Sequence, residues 1–175
     1  VAQWGMDRLA EHHDSALWLG VGFFRPHVPQ YAPQKWFDLY PMETLQLPAT
    51  IEIDLEDISD YGVNITRLKH VHPPWEWVLE NDQWKPLVQS YLACVSFVDE
   101  QVGKVFTALE NSEYADNTYV VFYSDHGFHQ GEKERFAKRS LWEDGARIPM
   151  IIIGPGIPVG VRCNKPVQLL DIYPT

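Results

Sequence analysis

The chain has 175 residues, one domain's worth at roughly 100–200 residues per domain, and 45% of them are hydrophobic against 22% charged, which excludes intrinsic disorder. Twenty-four acidic against 14 basic side chains leave a net charge of −10, which argues against a general nucleic-acid binder, since that needs a basic face to replace phosphate counterions. Two cysteines, Cys94 and Cys163, build neither a disulfide scaffold nor a four-thiolate zinc site.

The sequence opens at Val1 without a basic, apolar leader and stops in mid-pattern at residues 170–175, so it reads as a piece of a longer chain. A short helix is expected over residues 4–11. His12, His13 and Asp14 come directly after it, and are read as a solvated helix C-terminus with favourable histidine charge. Three apolar runs come next in the pattern: 16–24 (ALWLGVGFF), 118–123 (TYVVFY) and 150–153 (MIII). They are continuous rather than alternating, as in strands buried on both faces. The first and longest falls far short of the ~20 residues of a membrane span.

Residues 25–81 form a long, weakly patterned connection with seven prolines, and its portion 43–81 reads as an acidic, proline-rich insertion. Five carboxylates lie within residues 52–60 without the spacing and central glycine of a calcium loop, so a solvated acidic face is expected there. Asn64-Ile65-Thr66 is a glycosylation sequon, relevant only in a secretory pathway. His70, His72, Trp75 and Trp77 are read as a satellite packing cluster, with an aromatic rim for a sugar as the alternative. The strongest helix is expected over residues 82–109. Leu87, Tyr91, Val95, Val98, Val102, Phe106 and Leu109 give one apolar stripe, Asp82 is the expected N-cap, and Pro86 falls near the first turn. Strand, crossover helix, strand is the unit of a parallel sheet.

The connection 124–149 comes directly after a predicted strand, and ligands of open parallel sheets bind at the carboxyl ends of strands. It begins Ser124-Asp125-His126-Gly127. If Gly127 takes unusual backbone angles, Asp125 and His126 can turn toward one point and supply half a metal site. The alternative is a strand-ending turn in which Asp125 caps backbone N–H groups. Residues 131–147 carry five basic and four acidic side chains, a local departure from the acidic whole. A cation there can bind an anionic substrate or protonate a leaving oxygen; the alternative is an exposed mixed-charge loop. His27, held between Pro26 and Pro29, lies at the same end of the expected sheet as Asp125 and His126. Cys94 sits beside the apolar stripe as a small hydrophobe, and Cys163 is given no role. No Walker loop, GxGxxG or GxSxG is present.

Residues 18–29 (WLGVGFFRPHVP), Ser124-Asp125-His126-Gly127 with Gly131-Glu132 and Ala137-Lys138, residues 148–156 and residues 170–175 together resemble the sulfatase family, in its order. The subgroup most similar is the iduronate-2-sulfatase-like enzymes. The resemblance implies an incomplete α/β fold, with a mostly parallel central sheet and helices on both faces, like alkaline phosphatase. It implies that residues 1–175 are part of one catalytic domain that hydrolyses sulfate esters, with a sulfated small molecule or carbohydrate as substrate. Asp125 and His126 would ligate a divalent cation, calcium in most of the family. Lys138 and His27 would be the catalytic groups and, with Arg25, would contact the substrate. The family nucleophile is a formylglycine made from Cys or Ser in a Cys/Ser-x-Pro-Ser/Ala-Arg motif. Neither Cys94 nor Cys163 lies in such a motif, so it is expected upstream of Val1, and these residues alone are expected not to turn over. An exported location is implied by the resemblance only. A phosphatase or phosphodiesterase of the same superfamily and a non-catalytic carbohydrate-binding homologue are the competing readings.

Overall fold

The computed structural model describes residues 1–67 and 73–175, so the expectations for His70 and His72 lie outside the described residues. Its axis is α5, Trp84–Glu110, about 40 Å long at 1.5 Å per residue. The predicted apolar stripe forms it, and Pro86 sits in the first turn, where a missing N–H is harmless. Asp82 is not its cap. The N-cap is Gln83, because Asp82 adopts a left-handed φ of 53° in the turn after the preceding helix.

Two elements are laced onto α5. The first is α1, Ala2–Leu9, whose Ala2, Gly5 and Leu9 are buried. The sequence places it two residues late, because His12 and His13 look like a final turn. In the structure His13 leaves the helix and its Nε2 meets the carbonyl of Arg8 at 3.0 Å, while His12 pairs with Glu113 on the surface. The second is the stretch around α2, Gln34–Phe37. Here Ser90 donates to Gln30 (2.7 Å), Gln89 to the carbonyl of Tyr40 (2.7 Å) and Lys85 to that of Met42 (3.0 Å). The proline-rich connection goes on through α3, Asp60–Thr66, and α4, Trp75–Glu80. Trp75 packs inward, edge-on to Trp84 at 4.8 Å, whereas Trp77 is exposed.

The strands differ from expectation in two ways. Strand β1, Val120–Tyr123, pairs with β4, Met150–Ile153, in antiparallel register, Val120 opposite Ile153 and Tyr123 opposite Met150. The parallel pairing expected of this sheet is therefore not met between these two strands: the connection 124–149 brings β4 back beside β1 in the opposite direction. The run 16–24 forms no strand among the described residues. It still alternates, with Leu19, Val21 and Phe23 half-buried and Gly20, Gly22 and Phe24 exposed, as an extended segment does when one face is covered. Val21 seats in the notch that Gly5 leaves on α1, beside Val105 of α5. Burial on both faces is not met for β1 and β4 either: Phe122 is 37% and Ile152 43% exposed. A continuous apolar strand is dry only where a layer lies on each face, and here β1 and the apolar stripe of α5 line a common groove instead of packing together. Among the described residues no helix is long and apolar enough to cross a membrane.

Candidate active site

The extended segment 16–24, β1 and the apolar stripe of α5 enclose a groove of about 1920 Å³. The loops after the two extended segments converge on one turn of α5. Gln30 bonds Ser90, and the ring of Phe128 lies 4.9 Å from that of Tyr91. Arg25, His27, Asp125 and His126, which the sequence places at one end of the sheet, all line this groove.

The connection 124–149 is folded. It holds β2, His129–Gln130, paired antiparallel with β3, Phe136–Ala137, and a short helix α6, Glu143–Ala146. Gly131, at φ 127°, turns the hairpin against the indole of Trp84, whose Nε1 donates to the carbonyl of Gln130 at 2.7 Å. Phe136 is 3% exposed and packs on Trp75, a burial that stabilises the loop by roughly 2–3 kcal/mol. Gly127 does not take the unusual backbone angles expected of it. It is needed for space, because a Cβ there would lie 2.1 Å from the carbonyl oxygen of Asp144, and its N–H donates to the carbonyl of Gly145 at 3.0 Å.

On this support stand the site residues. Nδ1 of His126 meets the carbonyl of Gly127 at 2.7 Å and therefore carries the proton, which leaves a lone pair on Nε2. Nζ of Lys138 donates to that nitrogen at 2.7 Å. Oδ2 of Asp125 lies 3.5 Å from the same nitrogen, on a side chain that is 81% exposed. That separation is what two donors about 2.4 Å from one cation, roughly at a right angle, would show. Asp125 and His126 therefore fit as two ligands of a hard divalent ion, and Lys138 competes with such an ion for the lone pair. Among the described residues no group of three or more His, Cys, Asp or Glu side chains that could hold a metal ion is present.

His27 is stacked on Phe24 at 4.7 Å, and its Nδ1 meets the carbonyl of Val28 at 2.6 Å. Its Nε2 forms no hydrogen bond among the described residues. Arg25 anchors this turn, donating from Nε to the carbonyl of Tyr31 at 2.9 Å and from Nη1 to that of His27 at 3.3 Å, with its guanidinium over the rings of Phe24 and Tyr31. Cys94 is buried, which pushes its thiol pKa up, and Cys163 is exposed.

Sequence reasoning missed the groups beneath these. His129 is fully buried, with Nε2 2.6 Å from the Ser140 hydroxyl and Nδ1 without a partner among the described residues, and burial lowers its pKa. Arg135 is also fully buried, and desolvation lowers its pKa. Lys133, Glu134, Ala137 and Arg139 all have left-handed φ between 52° and 66°, at about 1 kcal/mol or more each for residues with a Cβ. The acidic stretch is tied to this loop. Asp54 pairs with Lys133 and Arg67 with Glu134, while Glu52, Glu56, Asp57 and Asp60 stay in solvent as expected. No short motif signals these pairings; opposite charges 79 and 67 positions apart are visible only once folded.

Residues 6–175 match the family model described as Sulfatase. The chain is 47% identical over 172 residues to a sulfatase of Formosa agariphila, covering 98% of this chain and 34% of that protein. It is 31% identical over 158 residues to iduronate 2-sulfatase of Mus musculus, covering 81% and 27%. The chain thus spans about a third of the length of the curated relatives it matches. Among solved structures, a phosphonate monoester hydrolase of Silicibacter pomeroyi superposes with a TM-score of 0.58 at 22% identity, covering 77% of this chain and 28% of that one. That likeness carries the fold, the α/β architecture of the alkaline-phosphatase type.

Proposed function

The chain belongs to the sulfatase family, and from that premise we propose that the protein it comes from hydrolyses sulfate esters at the groove end lined by Arg25, His27, Asp125 and His126, with Lys138 beside it. The observation that carries the proposal is the contact of Lys138 Nζ with His126 Nε2, 3.5 Å from the Asp125 carboxylate. It sets a fixed ammonium beside two oxygen- and nitrogen-donor ligands in a chain of net charge −10. An acidic protein that concentrates cationic groups at one point is built to receive an anion there.

Asp125 and His126 would hold a divalent cation, calcium by the family's habit, which supplies a positive charge for the sulfate oxygens. The family's formylglycine nucleophile belongs to a motif outside residues 1–175. Lys138 neutralises charge that develops on the sulfate oxygens in the transition state. His27, its ring held by Phe24 and the Val28 carbonyl in the lining of the groove, would give a proton from Nε2 to the departing alcohol oxygen when its ring enters the step protonated on both nitrogens, as the imidazolium. Arg25, whose guanidinium is spent on carbonyls and rings, holds the His27 turn and offers its charge to the incoming anion. The likeness to iduronate 2-sulfatase supports a sulfated carbohydrate as the substrate class.

The test is a comparison on the natural full-length protein of matched sulfate, phosphate and phosphonate monoesters of one aryl alcohol, and then of sulfated sugars. Sulfate-ester turnover that exceeds the other two supports the reading. A preference for the phosphate or phosphonate ester overturns it.

A further inference from the structure

We propose that Arg135 is a positioning residue for Lys138, a buried clamp that fixes the backbone from which the ammonium reaches the site. The hairpin ladder ends at Ala137, one residue short of Lys138, and Arg135 takes over where it stops. Its Nη2 donates to the carbonyls of Lys138 (3.1 Å) and Arg139 (2.7 Å), its Nε lies 3.4 Å from the Lys138 carbonyl, and its Nη1 donates to the carbonyl of Ile65 at 3.1 Å. The residues on either side of Lys138 are left-handed, Ala137 at φ 66° and Arg139 at φ 65°. Non-glycine residues do not hold that conformation unaided; here it turns two successive carbonyls inward onto one guanidinium. A planar fork with five donors collects carbonyls from two segments in one fixed geometry, which the flexible, single-point ammonium of lysine does not reproduce.

The Ile65 carbonyl belongs to α3, and the Asp54–Lys133 and Arg67–Glu134 pairs tie the same two stretches together on either side. Residues 54–67 therefore brace the loop that carries Lys138. A lysine side chain is flexible, and holding its Cα keeps its ammonium in the neighbourhood of His126 and Asp125, where it lies 2.7 Å from His126 Nε2 in this structure.

The inference rests on the sulfatase reading for its kinetic test only. In the natural full-length protein, Arg135→Lys is expected to lower kcat for a sulfate ester by about 10–100-fold, the effect of misplacing a catalytic group by about an ångström. KM should change by less than about threefold, because ground-state binding is spared. Adding Arg139→Gly, which takes a left-handed φ freely, should recover part of the loss. Brief trypsin treatment, read by peptide mass, should cut Arg135→Lys after Lys138 and leave that bond whole in the wild type, since the clamped carbonyl is the scissile one. If Arg135→Lys does not fold, Ala137→Val opposes the left-handed turn without touching Arg135 and should show the same kcat-selective loss. A folded Arg135→Lys with wild-type kcat and no new cut after Lys138 overturns the clamp, as does a folded Ala137→Val with wild-type kcat. The trypsin pattern decides the clamp even where the wild type hydrolyses no sulfate ester; in that case the functional reading falls and the clamp is judged on its own.

Discussion

Two regions of this chain invert the usual division between core and loop. The connection 124–149, for part of which an exposed mixed-charge loop is the alternative reading, buries His129, Gln130, Arg135 and Phe136. The strands β1 and β4, read as doubly buried, leave Phe122, Ile151, Ile152 and Ile153 more than a third exposed. The difference lies in what each region packs against. The loop is closed by neighbours from its own chain, namely Trp84, Trp75, Asp54 and Ile65. The strands pair with each other, and β1 faces the groove that it lines with the stripe of α5. Within residues 1–175 the candidate site is held by these tethers.

This comparison is sharpest in paired truncations. Phe136→Ala, in the loop, should cost about 3–4 kcal/mol, whereas Ile152→Ala, in the middle of a strand, should cost about 1 kcal/mol, because nearly half of its surface is already in water. Chemical denaturation of the two variants measures both, and equal losses would break the comparison. Gly127→Ala drives a methyl into the Asp144 carbonyl and should destabilise by about 1–3 kcal/mol, read as a lower melting temperature. Burial holds His129 below the ordinary histidine pKa of 6.5, so as pH falls below 6.5 the unfolded chain gains a proton that the folded one resists. Stability should be full above pH 6.5 and decline below it, and His129→Gln should flatten that decline in a pH series of thermal melts. The smallest effect is expected at the surface. Lys35→Ala, which breaks the exposed pair with Glu100, should shift stability by less than about 1 kcal/mol.

Much of the frame was legible in the sequence. The stripe from Leu87 to Leu109 located α5 to within two residues, since a long amphipathic period survives almost any context. The apolar runs and the Asp-His-Gly turn located β1 and the loop that leaves it. Their layers were not legible: a continuous apolar run reports that it prefers to be dry, not which element covers it, and 16–24 is extended with no strand partner among the described residues. The interior of the site loop was hidden for another reason. Lys133, Arg135 and Glu134 read as solvated charge because nothing local shows that their partners are Asp54, the Ile65 carbonyl and Arg67. A buried arginine that binds carbonyls leaves no complementary carboxylate to find. Asp82 misled in the opposite way, as a good capping residue used instead for a left-handed turn.

The central claim, that Lys138 acts on an anion beside Asp125 and His126, is tested most directly by one kinetic comparison. Wild-type and Lys138→Ala forms of the natural full-length protein would be assayed on an aryl sulfate, with the melting temperature of each as the control for folding. Loss of a preorganised cation at the developing oxyanion predicts a fall in kcat of about 10²–10³-fold with little change in melting temperature. A folded Lys138→Ala that turns over at the wild-type rate would contradict the account.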